Sequence, residues 1–336
     1  MRLDDLREIR FSSSPTQLLD VFAGVALSGL LLAFVLRVDR LTAVYAAVAA
    51  AAASWGISWV RSTADRIGCA FSDARVNVPS ACRCPLSRPA ARRKFVDQAW
   101  QLAIHVSCFL WEASLLWRNA EWWTDPNTCF QPCPADVTFG AELRAFYVFQ
   151  LVLWMWTAVS CQWLEERRQD YAEMICHHVI TVALVLGSLL ANEVAIGLVV
   201  LFVHDSSDIL LDLMKMSNYL KLQDRHGWFA SETLFVLNYI SWIYLRLYVF
   251  PMYVIDAVAY DDYATRCSPD GTEFPGTTPW SGILLHLLLV LHCFWFAVLT
   301  RIAVRIVRGQ AADEAGDEEY EVVRPATAAM GRNVIE

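Results

Sequence analysis

The chain predicts an all-α fold, a polytopic membrane helix bundle of about eight transmembrane helices. Three observations predict it. The composition is 56% hydrophobic and 18% charged, with a mean hydropathy of +0.36, where a soluble domain is about a quarter charged. Apolar segments long enough for spans of ~20 residues recur along the chain. Basic residues collect in alternate connecting segments, as the positive-inside rule requires of a multi-span chain. The formal net charge of −8 is segregated rather than spread. Acids gather in the C-terminal tail (Asp313, Glu314, Asp317, Glu318, Glu319, Glu321) and in the loop from Asp256 to Glu273. No nucleic-acid partner is expected.

The spans fall near 17–36, 41–60, 96–117, 143–164, 174–191, 195–213, 229–255 and 280–307. The first follows MRLDDLREIR, which is charged of both signs, and no clear small-residue cleavage site follows the apolar run. It therefore reads as a helix that stays rather than a cleaved signal peptide. The second contains the Ala-rich run 46–53, which suits a close-packed membrane helix. The fifth and sixth are short and interrupted by polar residues, and the chemistry lies there.

Charge orients the bundle. Arg61, Arg66, Arg75, Arg83, Arg88, Arg92, Arg93 and Lys94 lie between spans two and three. Arg167 and Arg168 lie between four and five, Lys215, Lys221 and Arg225 between six and seven, and Arg301, Arg305 and Arg308 at the end of the last. With eight spans all of these share one side, the cytosol, and both termini are cytosolic. Arg37 and Arg40 then fall outside. The outer side receives the loop around 118–140, whose Trp122 and Trp123 join Trp117 in an interfacial aromatic belt, and the loop around 256–279. Four regions follow: a tail and two-helix hairpin at 1–60, a basic cytosolic linker at 61–90, a six-helix body at 91–308, and an acidic tail at 309–336 of disordered composition.

Ten cysteines are scattered. Cys129, Cys133 and Cys267 fall in outer loops, where an oxidising lumen would let two of them pair. Spacing does not say which two, and free thiols are equally open.

His177 and His178 are adjacent and project about 100° apart on a helix. Asp205, Asp208 and Asp212 form one helical stripe, and His204 stands four residues before Asp208. Spans five and six share a short turn and are antiparallel neighbours, so the two clusters can meet at similar depth. An ionisable side chain at mid-membrane costs roughly 2.5–3.5 kcal/mol on insertion scales. Six such groups on adjacent spans point to acid/base chemistry, against the simpler reading of polar glue between helices. A di-iron centre needs about eight ligands in spaced histidine boxes. The chain has seven histidines in all, and His105, His226, His286 and His292 read as isolated, which rejects that centre. A mononuclear metal on His177, His178 and Asp208 is an open alternative that no family spacing suggests, and no metal is expected. Arg167, Arg168 and Lys215 suit an anion at the cytosolic mouth as well as a positive-inside anchor.

RRQDYAEMICHHVIT (167–181) and HDSSDILLDLMKMSNY (204–219) resemble the Lag1 motif of ceramide synthases, within the wider TRAM–Lag–CLN8 (TLC) domain family. The elements are Arg168-Gln169-Asp170-Tyr171, His177-His178, His204-Asp205 with Asp208, and Lys215 with Tyr219. ARRKFVDQAW, WWTDPNTCF, LRLYVFP and HCFWFAVLTRI extend the likeness over about 90–308. Gln169 replaces the usual Lys, Ala195 stands where an Arg often sits, and no homeobox-like insert precedes the domain.

The resemblance implies transfer of a fatty acyl group from acyl-CoA to the amine of a long-chain sphingoid base, in the endoplasmic reticulum membrane and without a cofactor. It implies catalysis by His177, His178, Asp205 and Asp208, supported by His204, Asp212 and Asp170. Arg167, Arg168 and Lys215 would meet CoA. A loop containing Asp261, Asp262 and Tyr263 would set chain length. A histidine would act as general base, or His177 would form an acyl-imidazole. A homodimer or a regulatory subunit fits the family. Two rivals are a non-catalytic TLC lipid sensor and an acyltransferase with another acceptor.

Overall fold

The computed structural model describes residues 59–60, 62–67, 89–130, 138–163, 170–223, 228–260 and 279–308. The two N-terminal spans expected at 17–36 and 41–60 lie almost wholly outside them. Every regular element among the described residues is helical. In chain order these are α1 (Pro89–Arg118), α2 (Ala120–Thr124), a 3-10 turn (Pro126–Phe130), α3 (Ala141–Trp163), α4 (Tyr171–Leu190), α5 (Val194–Tyr219), α6 (Ala230–Ser241) and α7 (Pro279–Val307). From Trp242 to Tyr260, α6 continues as a π-helix with Pro251 inside it. Pro251 has no N–H to donate, so it leaves one backbone carbonyl of the preceding turn without its helical partner.

Among the described residues, four helices are long and apolar enough to cross a membrane: α4, α5, α6 with its π continuation, and α7. Six spans were expected across this region. The shortfall is α1 and α3. On α1, Gln98, His105 and Glu112 recur every seven residues, and α3 carries Glu142, Arg144 and Gln150. Their polar groups turn inward: Gln98, Glu112 and Gln150 are all buried.

The bundle is sorted for an apolar surround. Ile283, Leu287, Val290 and Phe294, three or four residues apart on α7, face outward, as do Val236, Leu237, Ile240, Tyr244 and Tyr248 on the α6 rod. Such continuous apolar stripes mark a lipid-facing surface. α5 is the central helix and packs against α1, α3, α4, α6 and the π-helix. Phe146, Leu151, Leu198, Val203, Phe250 and Val254 fill the core around it.

One turn sets the register of the site. α4 ends with the Asn192 N–H on the Leu189 carbonyl (3.3 Å) and the Glu193 N–H on the Ser188 carbonyl (2.7 Å), while Asn192 sits at φ 60°. This is a Schellman cap with Asn in the left-handed position. It reverses the chain in three residues, so α4 and α5 run antiparallel from a common end. Nearby, Gly187 admits the Trp280 indole. A β-carbon there would stand 1.8 Å from Trp280 Cη2.

Candidate functional site

A cavity runs between α3, α4, α5, the π-helix and α7. Its lining changes along its length. At the end toward the α4 start and the α5 middle are His177, His204 and Asp208. Leu184, Val185, Val200, Leu201, Leu285 and Leu288 form the shaft. Tyr147, Ser188 and Glu193 lie at the end where the helices turn.

His177 stands on the wall in an aromatic box. Trp154 and Trp295 meet its ring edge-on, at centroid distances of 6.1 and 5.5 Å, and His178 lies 5.6 Å away. Trp295 is itself held, its indole N–H donating to Asp170 Oδ2 at 3.2 Å. Asp170, the residue before α4, thus supports His177 through Trp295. His177 Nδ1 is buried and has no hydrogen-bond partner among the described residues. The residue lines the cavity, where an imidazole can serve as nucleophile or base.

His204 is committed on both nitrogens. Nδ1 donates to the Val200 carbonyl at 2.7 Å, and Nε2 meets His292 Nε2 at 3.1 Å. The carbonyl can only accept, so neutral His204 is protonated at Nδ1 and accepts from His292 at Nε2. Asp208 does not pair with His204 four residues before it. It takes Arg246 from the π-helix at 2.6 Å. The same guanidinium donates to Ser207 Oγ at 2.7 Å and lies 4.5 Å over the Trp242 ring.

The rest of the aspartate stripe faces α1, away from His177. His105 Nδ1 meets Asp212 Oδ2 at 2.6 Å, and Gln98 also donates to Asp212, at 2.5 Å. Gln150 donates to Glu112 at 3.0 Å and to Asp205 at 3.4 Å. The seam is the seven-residue stripe of α1 laid against the aspartates of α5. His105, Asp205 and Asp208 each bring one ligand atom within 4.8 Å of the others, a spacing a metal ion could bridge. Asp212 and Arg246 already engage two of the three.

The chain matches the family model of the TLC domain over residues 94–301. The chain belongs to the TLC domain family. It is 27% identical over 236 residues to human ceramide synthase 5, covering 69% of this chain and 56% of that protein. It is 27% identical over 243 residues to ceramide synthase LOH1 of Arabidopsis thaliana, covering 68% and 76%. It is 28% identical over 242 residues to ASC1-like protein 1 of Oryza sativa, again covering 68% and 76%. The match thus spans little more than half the human protein's length.

In this TLC domain, the structure brings His177, His204 and Asp208 to one cavity and places His178 beside His177. Asp205 and Asp212 belong to the α1 seam. Lys215 lies near Asp212 on α5. Arg167, Arg168, Asp261, Asp262, Tyr263, Cys133 and Cys267 lie outside the described residues. Cys129 is a free, buried thiol, its Sγ 3.8 Å from the Trp122 carbonyl, and burial pushes the thiol up. Sequence reasoning missed Arg246, His292, His105, Glu112 and Gln150. Two signals existed: an arginine inside an apolar span, and the seven-residue recurrence on α1.

Proposed function

We propose that this TLC domain chain is a ceramide synthase that transfers a fatty acyl group from acyl-CoA to the amine of a long-chain sphingoid base. The observation that carries the reading is His177, boxed by two tryptophans on the wall of a cavity whose shaft is apolar. Such a shaft suits a fatty chain, and the relatives named as ceramide synthases support the acceptor.

In this reading His177 attacks the thioester carbonyl. A C–N bond forms, the C–S bond breaks, and CoA departs as a thiolate that takes up a proton. The neutral sphingoid amine then attacks the acyl-imidazole. The amide C–N bond forms, the bond to imidazole breaks, and the amine's extra proton passes to a nearby base. His178 flanks His177, Asp208 lines the cavity, and Arg246 holds Asp208 in place. Asp205 acts through the seam, fixing α5 against α1. A water-poor shaft protects the acyl-imidazole from hydrolysis. Arg167, Arg168 and Lys215 meet the CoA phosphates from the cytosol. Both termini are cytosolic, the membrane is that of the endoplasmic reticulum, and the loop with Asp261, Asp262 and Tyr263 tunes chain length.

The test uses microsomes from cells lacking ceramide synthase and expressing this chain, given a sphingoid base and a panel of acyl-CoAs. Mass spectrometry is expected to find the N-acylated base with at least one chain length. A well-expressed protein that makes none from any donor contradicts the reading.

A further inference from the structure

The far end of the cavity does not match a hydrocarbon tail. Glu193 follows the Schellman turn, lines the cavity and is 4% exposed. Its Oε1 is buried with no donor among the described residues. Burial pushes its carboxyl up to about 8, so near neutral pH it carries a proton and can both donate and accept. Two hydroxyls stand beside it on the lining. Ser188 Oγ donates its one proton to the Leu184 carbonyl (2.8 Å), so Tyr147 donates to Ser188 (2.6 Å) and keeps a lone pair. Gly197 makes room for this arrangement. A β-carbon there would stand 1.7 Å from Tyr147 Oη.

From His177 to Ser188 the cavity wall rises about 16 Å along α4. At roughly 1.2 Å of extension per bond, that is about 13 bonds of a fully extended chain. A methyl end arriving there leaves a buried carboxyl unsatisfied, while a hydroxyl supplies the missing partner. We propose that Glu193, with Tyr147 and Ser188, forms a polar floor that selects acyl chains carrying a terminal hydroxyl over methyl-ended chains of the same length. This rests on the reading of the cavity as an acyl site.

The test pairs acyl-CoAs of equal length, around 14 carbons, that differ only in a terminal hydroxyl. Each is given with a sphingoid base to the full chain and to Glu193→Leu and Glu193→Gln, and the readout is the ratio of kcat/KM for the two donors. The wild type is expected to favour the hydroxylated donor by about tenfold. Glu193→Gln, whose amide still donates and accepts, keeps most of that ratio, and Glu193→Leu brings it to about one or below. Equal use of both donors by the wild type overturns the proposal, as does an unchanged ratio in Glu193→Leu. If neither donor is consumed, the reading of function fails instead. The floor is then judged by binding alone: the free ω-hydroxy fatty acid must raise the Tm more than the methyl-ended acid, and equal shifts overturn it.

Discussion

Replacing His177 with Ala lowers N-acyl transfer by ~10³-fold or more while the protein still folds. The two halves of this expectation have separate causes. Activity falls because the other titratable groups described at that end of the cavity are already committed. His204 has both nitrogens committed, one to Val200 and one to His292, and Asp208 is held by Arg246. The fold survives because removing His177 orphans nothing. Its Nδ1 has no partner, and its ring makes edge contacts with Trp154 and Trp295. His204→Ala is the contrasting case. It strips the acceptor from His292 and the donor from the Val200 carbonyl, so it costs about 1–3 kcal/mol of stability as well as activity. Product yield by mass spectrometry, with thermal unfolding in detergent, separates the two. A His177→Ala protein that retains transfer contradicts the assignment.

Arg246→Met is expected to destabilise the protein by about 3–5 kcal/mol, because it leaves the Asp208 carboxylate buried without its partner. The guanidinium does three things at once: it pairs with Asp208, donates to Ser207 and covers Trp242. Arg246→Lys keeps a charge but lacks the planar fork, so it recovers only part of the loss. The double change Arg246→Met with Asp208→Leu removes both members of the pair and is expected to restore much of the Tm without restoring activity. A Tm for Arg246→Met within a degree or two of wild type would show that the pair does not hold the π-helix to α5.

The helices of the body were legible because apolar runs of span length need no partner to be recognised. Expected spans at 174–191 and 195–213 meet helices Tyr171–Leu190 and Val194–Tyr219, while the one expected at 143–164 meets a helix, Ala141–Trp163, that falls short of a membrane span. The site was legible in part. His177 and His204 stand out because polar residues in apolar spans are costly, and Asp170 because it sits in the motif. How Asp170 acts was not legible, since Trp295 lies 125 residues away. His292 and His105 look isolated in sequence for the same reason. Their partners are brought close only by packing of α7 and α1 on α5. The spacing of the aspartates did not show that they divide between neighbours: Asp212 meets Gln98 and His105 of α1, Asp205 meets Gln150, and Asp208 turns to Arg246.

The most direct measurement is the mass of the peptide around His177 after the purified protein meets acyl-CoA with no amine present, quenched under conditions that preserve acyl-imidazoles. The account predicts an acyl adduct on His177 that disappears, with formation of the N-acylated base, when the sphingoid base is added. Turnover with no adduct at any time point would contradict the covalent route and leave His177 as a general base. An adduct on another side chain would move the catalytic centre away from His177.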